Sequence, residues 1–346
     1  MKKIFLLTIL LIINNLAFSQ TKSSDIKQAD LDKLAVLEDS IVSLSRTAVT
    51  DSIAENRIAA QDKLLPLMRE ALAVSNSFNY AFNKIENISL LYPTERDFRI
   101  FTWQLMIDEN HYKYFGFIQL NRSKSMVYEL KDFSKDIQKP ENQNLTAEKW
   151  FGALYYNIKG FKTKEGMKYL LFGFNAHDTI EKIKICDVLS LNGGAPRFGS
   201  PVFEKEERSI KKKLNRLVMY HSVDASIRFN YDDDMGMIML DHLTEIGYKD
   251  PNVPFVSVPD GTYEAYKLKK GVWEHIDKLE NTIMDAAPIP KPILGSKAKV
   301  VNKENAKQFE WPKQWESYWL LIIAFNKKSV PKHEADFLLG NVFRKR

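Results

Sequence analysis

The sequence contains one cysteine, Cys186, among its 346 residues. An internal disulfide needs two cysteines, so burial of apolar side chains must stabilise the fold. Cys186 lies in the alternating segment KIKICDVLSL, and a lone cysteine between apolar residues is more typical of a protein core than of a nucleophile. A disulfide-stabilised scaffold is therefore excluded.

The local motifs of several enzyme classes are also missing. The sequence has no G-x-x-x-x-G-K phosphate loop, no G-x-G-x-x-G after a strand pattern and no H-E-x-x-H zinc motif. In FGSPVF, proline and valine follow the serine, so the G-x-S-x-G turn of a nucleophilic serine is absent. Six histidines in six separate segments are more simply surface or core residues than a zinc set.

The first residues have the parts of a secretory signal peptide. MKKIFLLTILLIINNLAFSQ contains two lysines, an apolar run from Ile4 to Ile13 and small residues before Gln20. The run is shorter than the ~20 residues that cross a bilayer, which disfavours a membrane anchor. No cysteine lies near the expected cleavage point, which disfavours a lipoprotein. We expect removal of residues 1–19 and a periplasmic or extracellular mature chain without a transmembrane helix.

The formal net charge of +6 is a mild excess for a chain of this length. The densest basic run, Lys211-Lys212-Lys213, lies near the acidic segment EKEER, so we interpret both as a solvated surface of mixed sign. The sequence shows no nucleic-acid-binding motif. We therefore expect no nucleic-acid partner.

Residues 20–76 are predicted to form a helical hairpin. From Asp25 to about Ala73, apolar residues recur at steps of three and four, with charged residues between them. Pro66 falls inside the second run. Because proline lacks the N–H group that a helix interior uses, Pro66 should kink this helix or begin a new one.

After Ser77 the apolar pattern changes to a period near two. Short segments such as FRIFTWQL, YFGFIQL, YLLFGF and MIMLDHL are rich in aromatic and β-branched residues and alternate with turns. We predict a mainly β (α+β) fold, in which the helical hairpin precedes an antiparallel β-sandwich or barrel-like domain over residues 77–285. A propeller also stays open, although no clean repeat supports it. Residues 286–298 are expected to form a proline-rich spacer, and residues 299–346 to return a strand to the β domain.

Several of these segments are similar to a group of exported proteins of Bacteroidota bacteria. The resemblance covers roughly Ser77 to Leu279 and includes SFNYAFNKIENISLLYPTERDFRIFTWQL, WFGALYYNI, RFGSPVF, RFNYDDDMGMIMLDHL and VPDGTYEAYKLKKGVWEHIDKL. No activity is known for the group. The resemblance therefore implies export and supplies no functional residue.

The densest cluster of acidic residues lies in RFNYDDDMGMIMLDHL. Oxygen side chains occupy the first, third, fifth and twelfth positions of a calcium-loop pattern, at Asn230, Asp232, Asp234 and Asp241. However, Met235 stands where the loop needs glycine, the last ligand is Asp instead of Glu, and the flanks alternate as strands. We favour a β-hairpin that turns from Asp232 to Gly236, and a calcium site is the alternative.

Two pairs of neighbouring residues suggest catalysis. Asp241-His242 and His221-Ser222 each combine a base with a polar partner, but adjacent side chains in a strand point to opposite faces and cannot bond each other. A site assembled from distant loops stays open. This alternative predicts a hydrolase or a metal-dependent enzyme built around Asp232, Asp234, Asp241 and His242.

Aromatic residues make up 12% of the chain and include six tryptophans. Flat rings with polar edges suit glycan or peptide recognition, although such rings also fill the interior of β proteins. Only WPKQW and YKDPNVPF lie outside the regular pattern as possible exposed loops. The sequence therefore favours a non-enzymatic, exported interaction or cell-envelope module whose partner is an envelope protein or a glycan. A glycan-binding β domain is the second alternative to this function, after the enzyme.

Overall fold

The computed structural model describes residues 26–122, 126–191, 193–207, 209–247 and 255–279. The expected signal peptide, the proline-rich spacer and the segment 299–346 lie outside these residues. No helix in the described part of the chain is long and apolar enough to cross a membrane.

Two antiparallel helices form the front of the structure, as the sequence predicts. Helix α1 spans Gln28–Thr50, helix α2 spans Ala54–Ala73, and the two pack against each other along their lengths. The chain turns between them at Asp51, whose side chain accepts a hydrogen bond of 2.8 Å from the N–H of Ile53. Pro66 lies inside α2 and does not begin a helix. Of the two outcomes predicted for Pro66, a new helix is excluded, and a kink at Pro66 stays a prediction.

Sheet 1 follows the helices. Its four antiparallel strands are β1 (Ser89–Leu91), β2 (Phe98–Asp108), β3 (His111–Leu120) and β4 (Met126–Lys131), in that order. Alternate residues of β2 point to opposite faces of the sheet. Phe101 and Trp103 pack against the helices, whereas Phe98 and Ile100 pack on the other side.

Sheet 2 has five strands in the order β5-β9-β8-β7-β6, and a sixth strand, β12, also pairs with β8. The strands are β5 (Leu145–Thr146), β6 (Leu154–Thr163), β7 (Gly166–Asn175), β8 (Glu181–Ser190), β9 (Arg197–Phe198) and β12 (Leu217–Ser222). The pairings are antiparallel.

Sheet 3 has the strand order β11-β10-β16-β15-β14-β13. Its strands are β10 (Phe203–Glu207), β11 (Ile210–Leu214), β13 (Phe229–Asp232), β14 (Met237–Ile246), β15 (Val256–Lys269) and β16 (Val272–Ile276). The β10–β16 pair is parallel, and the other pairs in this sheet are antiparallel. The β15–β16 hairpin turns at Lys270 and Gly271.

The elements stack as four layers, in the order helices, sheet 1, sheet 2 and sheet 3. One apolar cluster joins the helices to sheet 1, a second joins sheet 1 to sheet 2, and a third joins sheet 2 to sheet 3. In β7, Tyr169 and Leu171 belong to the second cluster, whereas Leu170 and Phe172 belong to the third. The predicted class, mainly antiparallel β with a helical hairpin, is confirmed, and its sheets are layered as in a sandwich.

A fully buried ion pair ties a long loop to the middle of sheet 2. Arg216 Nε lies 3.1 Å from Asp187 Oδ1, and both side chains are completely buried. The Arg216 guanidinium also donates to the backbone carbonyls of Pro140 and Gln143, in the loop that follows β4. Arg216 Nη2 and Asp187 Oδ2 have no hydrogen-bond partner among the described residues. The pair is thus buried with only part of its polar atoms satisfied.

Replacing Arg216 alone should be costly. We expect Arg216→Met to lower the free energy of unfolding by about 3–5 kcal/mol, because it leaves the buried Asp187 carboxylate without its positively charged partner. Adding Asp187→Leu should recover most of this loss, since the double variant buries no charge. Urea unfolding measures both effects.

The matched control for this test is Lys33→Met, which removes the half-exposed Lys33–Glu70 pair at 2.8 Å. It should change the free energy of unfolding by less than about 1 kcal/mol. A loss of that small size in Arg216→Met would contradict a structural role for the buried pair.

Candidate functional site

The acidic cluster forms the turn of a β-hairpin. Strands β13 and β14 pair antiparallel, with Phe229 opposite Leu240 and Tyr231 opposite Ile238. Gly236 adopts a φ of 65°, in the left-handed region that favours glycine, and its N–H donates to the Asp232 carbonyl at 2.9 Å. The hairpin interpretation of this segment is confirmed.

The carboxylates of Asp232 and Asp241 already have protein partners. Asp232 Oδ1 accepts hydrogen bonds from the N–H groups of Asp234 and Met235 at 3.1 and 3.0 Å, and Asp232 Oδ2 lies 2.6 Å from the Arg228 guanidinium. The Arg228 N–H donates to Asp241 Oδ2 at 2.6 Å. Turn geometry and one arginine therefore account for these two carboxylates.

Asp241 also lies apart from the turn. Asp232 pairs with Met237, and Asp241 is four residues further along β14, about 14 Å at the usual strand rise. Asn230 Oδ1 accepts from the amide of Asn157 at 2.7 Å. Within the described residues, no group of three or more His, Cys, Asp or Glu side chains is arranged to hold a metal ion. Calcium binding at Asn230, Asp232, Asp234 and Asp241 stays a prediction, and it would require these bonds to be exchanged.

Cys186, His221 and Ser222 are buried. Cys186 is fully buried, in agreement with its prediction as a core residue. The His221 side chain is buried, its Nδ1 lies 2.9 Å from the Ser222 carbonyl, and its Nε2 has no partner in the described part of the chain. Burial lowers the pKa of His221 to about 4. His221 therefore bonds the backbone of Ser222 and is held neutral in the core.

The described tryptophans also belong to the core. Trp103, Trp150 and Trp273 are at most 1% exposed, so they cannot form a flat surface for a sugar. The WPKQW segment lies outside the described residues. In YKDPNVPF, Phe255 is 70% exposed, which agrees with the prediction of an exposed aromatic side chain there.

A group of ionisable side chains on sheet 3 was not recognised from the sequence. Glu264 on β15 bonds His275 Nε2 on β16, and Lys205 on β10 lies 3.4 Å from the same carboxylate. On the other side, His242 Nε2 lies 3.9 Å from Glu264 Oε1, while His242 Nδ1 lies 2.8 Å from Asp260 Oδ2. We call these five residues the histidine–carboxylate cluster.

Strand register explains why these residues meet. Glu264 and His275 lie on the same face of sheet 3 as the apolar side chains of Tyr266 and Trp273. The cluster therefore lies next to the apolar contact on this buried face. A bulge between Asp241 and Leu243 shifts the pairing of β14 with β15 at His242. His242 therefore meets Asp260 and does not depend on the neighbouring Asp241.

The side chains of the histidine–carboxylate cluster differ in solvent exposure. The side chains of His275 and Glu264 are 6% and 10% exposed, whereas those of His242 and Asp260 are 39% and 31% exposed. Burial raises the pKa of Glu264, but hydrogen bonding to His275 and the charge of Lys205 outweigh this and leave the pKa lowered. The backbone and hydroxyl of Thr262, followed by His242, lower the pKa of Asp260 to about 2.

This arrangement can do two things chemically. Because Asp260 orients His242 through Nδ1, Nε2 of His242 can exchange a proton with a group at the surface. The cluster can also bind a charged group of a partner. Among the described residues, the side chains of His242 and His275 bond the carboxylates of Asp260 and Glu264.

Comparison of the chain with family models, with curated proteins and with solved structures gives no match. The protein is therefore classed by its architecture, which in the described part of the chain consists of four layers, a helical hairpin and three sheets.

His221 predicts a pH dependence of stability. The pKa of about 4 lies below the ordinary value of 6.5, so between these values the unfolded chain binds a proton that the folded chain does not. The stabilising effect is complete above pH 6.5 and is lost as the pH falls toward 4. It amounts to about 3 kcal/mol at ~1.4 kcal/mol per pKa unit.

We expect His221→Gln to flatten the fall of the unfolding free energy between pH 7 and pH 4.5, measured by urea unfolding at each pH. His111→Gln is the matched control, because His111 is exposed and paired with Asp108 at 2.6 Å. If the wild type and His221→Gln show the same slope, His221 is not held neutral by burial.

Proposed function

We propose that the chain is an exported, non-enzymatic binding module of the cell envelope, and that the end of β14 together with the start of β15 contacts its protein partner. The proposal rests chiefly on two exposed apolar side chains at this end of the two strands, Phe255 and Ile246, which are 70% and 46% exposed. Large exposed apolar side chains that stand together are typical of interaction surfaces.

The positions of Ile246 and Phe255 support this function. Ile246 pairs with Val256, so Phe255 and Ile246 lie at the same end of the hairpin. A Cβ atom at Gly247 would come within 3.0 Å of the Phe255 ring, which means that the ring lies close against the backbone there. An aromatic ring held in this way loses little conformational entropy on binding.

The nearby histidine–carboxylate cluster adds charge to the same hairpin. His242 is four residues before Ile246 on β14, about 14 Å away at the usual strand rise. A protein partner with an apolar anchor and a charged group would match both features. A glycan partner is less well supported, because the three described tryptophans are buried.

Hydrolysis is the second candidate function, and the contact between His242 Nδ1 and Asp260 at 2.8 Å favours it. This is the orientation that a general base needs. If the purified chain hydrolysed an ester, glycoside or peptide substrate and His242→Gln abolished that turnover, the protein would be a hydrolase and not a binding module.

Site-specific photo-crosslinking tests the binding module. The full chain is expressed in a Bacteroidota host with Phe255→p-benzoylphenylalanine, and the crosslinked envelope fraction is analysed. We expect one discrete crosslinked product. Its component from this protein should begin at Gln20. We expect Ile246→Asp to reduce the yield of this product several-fold, because it places a charge in the apolar contact.

The matched control carries the same photoreactive residue at Phe133, a second partly exposed ring, which is 36% exposed and lies outside sheet 3. Equal crosslinking from both positions, or none from position 255, would contradict the proposed surface. Retention of residues 1–19 on a cytoplasmic chain would contradict export.

A further inference from the structure

A cleft of about 390 Å³ lies between helix α2 and sheet 1. Leu65 and Pro66 of α2 face Leu105 of β2 and Phe115 of β3 across it. This volume lies within the ~300–1,000 Å³ of typical small-molecule sites, which are mostly apolar with a few polar groups. The apolar lining suits the body of a small amphipathic molecule.

Gln61 supplies a polar group on the wall of the cleft. The side chain is 3% exposed, and its Oε1 accepts a hydrogen bond of 2.8 Å from Trp103 Nε1. An indole nitrogen can only donate, so this bond fixes the amide with its oxygen toward Trp103. The Nε2 group of Gln61 is thereby left without a partner among the described residues.

An amide group that is buried without a hydrogen-bond partner destabilises the fold, so an acceptor that reached Gln61 Nε2 would remove an existing penalty. Gln61 lines the cleft, and Ile58, one turn before it on α2, is 38% exposed at the mouth.

Pro66 adds a second unusual feature to the same wall. Because Pro66 has no N–H group, the carbonyl of Asp62 loses the donor that a regular helix would provide. Both residues line the cleft. The wall therefore offers the Gln61 donor within one helical turn of a carbonyl that lacks its regular helical donor.

The charged side chains that line the cleft determine which charge on an amphipathic ligand is favoured. Lys113 lines the cleft, and its Nζ lies 5.6 Å from the centre of the Phe115 ring. In the described part of the chain Lys113 has no carboxylate within ion-pair distance, whereas Arg69 at the same cleft is held by Glu129 at 2.6 and 2.9 Å. Lys113 is thus the cation available to an anionic ligand.

We propose that this cleft binds a small monocarboxylate with an apolar body, such as a medium-chain fatty acid. The chain of the ligand lies over Leu65, Leu105 and Phe115, and its carboxylate accepts from Gln61 Nε2 and pairs with Lys113. This site lies on sheet 1 and the helices, so it does not depend on the proposed partner surface of sheet 3.

Titration calorimetry with decanoate on the full chain tests the site, with decanol and decyltrimethylammonium as neutral and cationic probes of equal length. We expect saturable binding of decanoate, at least tenfold weaker binding of decanol and none of the cation. A rise in melting temperature with decanoate concentration should accompany binding.

Two variants assign the polar contacts. Gln61→Leu should weaken decanoate binding roughly tenfold or more, because it removes the amide donor. Lys113→Met should weaken decanoate binding several-fold and leave decanol binding unchanged. Lys131→Met is the matched control, because Lys131 pairs with Glu148 at 2.5 Å outside the cleft, and it should change neither.

A third variant keeps the test valid if Gln61→Leu does not fold. Leu65→Trp fills the cleft from the helix side and should abolish binding of decanoate and decanol while circular dichroism stays unchanged. The proposal is overturned if decanoate does not bind, if the cation binds equally well, or if Lys113→Met and Leu65→Trp both bind decanoate like the wild type.

Discussion

Burial of sheet 2 on both of its faces is the constraint on which the rest of the structure depends. Tyr169 and Leu171 of β7 face sheet 1, whereas Leu170 and Phe172 face sheet 3. Two further sheets are needed to cover these faces, and covering sheet 1 in turn requires the helices, which pack on Phe101 and Trp103. The cleft at α2 exists only because this last layer is added, and the histidine–carboxylate cluster lies where the apolar contact between sheets 2 and 3 ends.

Most of the elements could be predicted from the sequence, because their signals are local. The helical hairpin follows from steps of three and four residues, and the turn at Gly236 follows from the preference of aspartate and glycine for turns. The order in which the sheets stack could not be predicted. A segment such as YLLFGF is apolar on both faces, which indicates burial on two sides without identifying either neighbour. Pro66 shows the same limit, since packing of α2 on sheet 1 outweighs the local preference to break a helix there.

The candidate functional residues also differ in whether a local sequence pattern identifies them. The role of Asp232 in the turn is local and was predicted, whereas His242 was identified with Asp241 beside it, although its partner is Asp260 across a bulge. Lys205, Glu264 and His275 come from three strands that only the register of sheet 3 brings together. Gln61 gives no sequence signal either. Its importance depends on Trp103, which fixes the direction of its amide from a different element.

Hydrogen–deuterium exchange of the folded chain tests the central role of sheet 2 most directly. If sheet 2 is the layer on which the others depend, the amides of β7 (Gly166–Asn175) and β8 (Glu181–Ser190) exchange only through global unfolding. Those of α1, α2 and the β14–β15 hairpin then exchange faster, through smaller openings. Amides of the two helices that remain protected after those of β7 and β8 have exchanged would contradict this account.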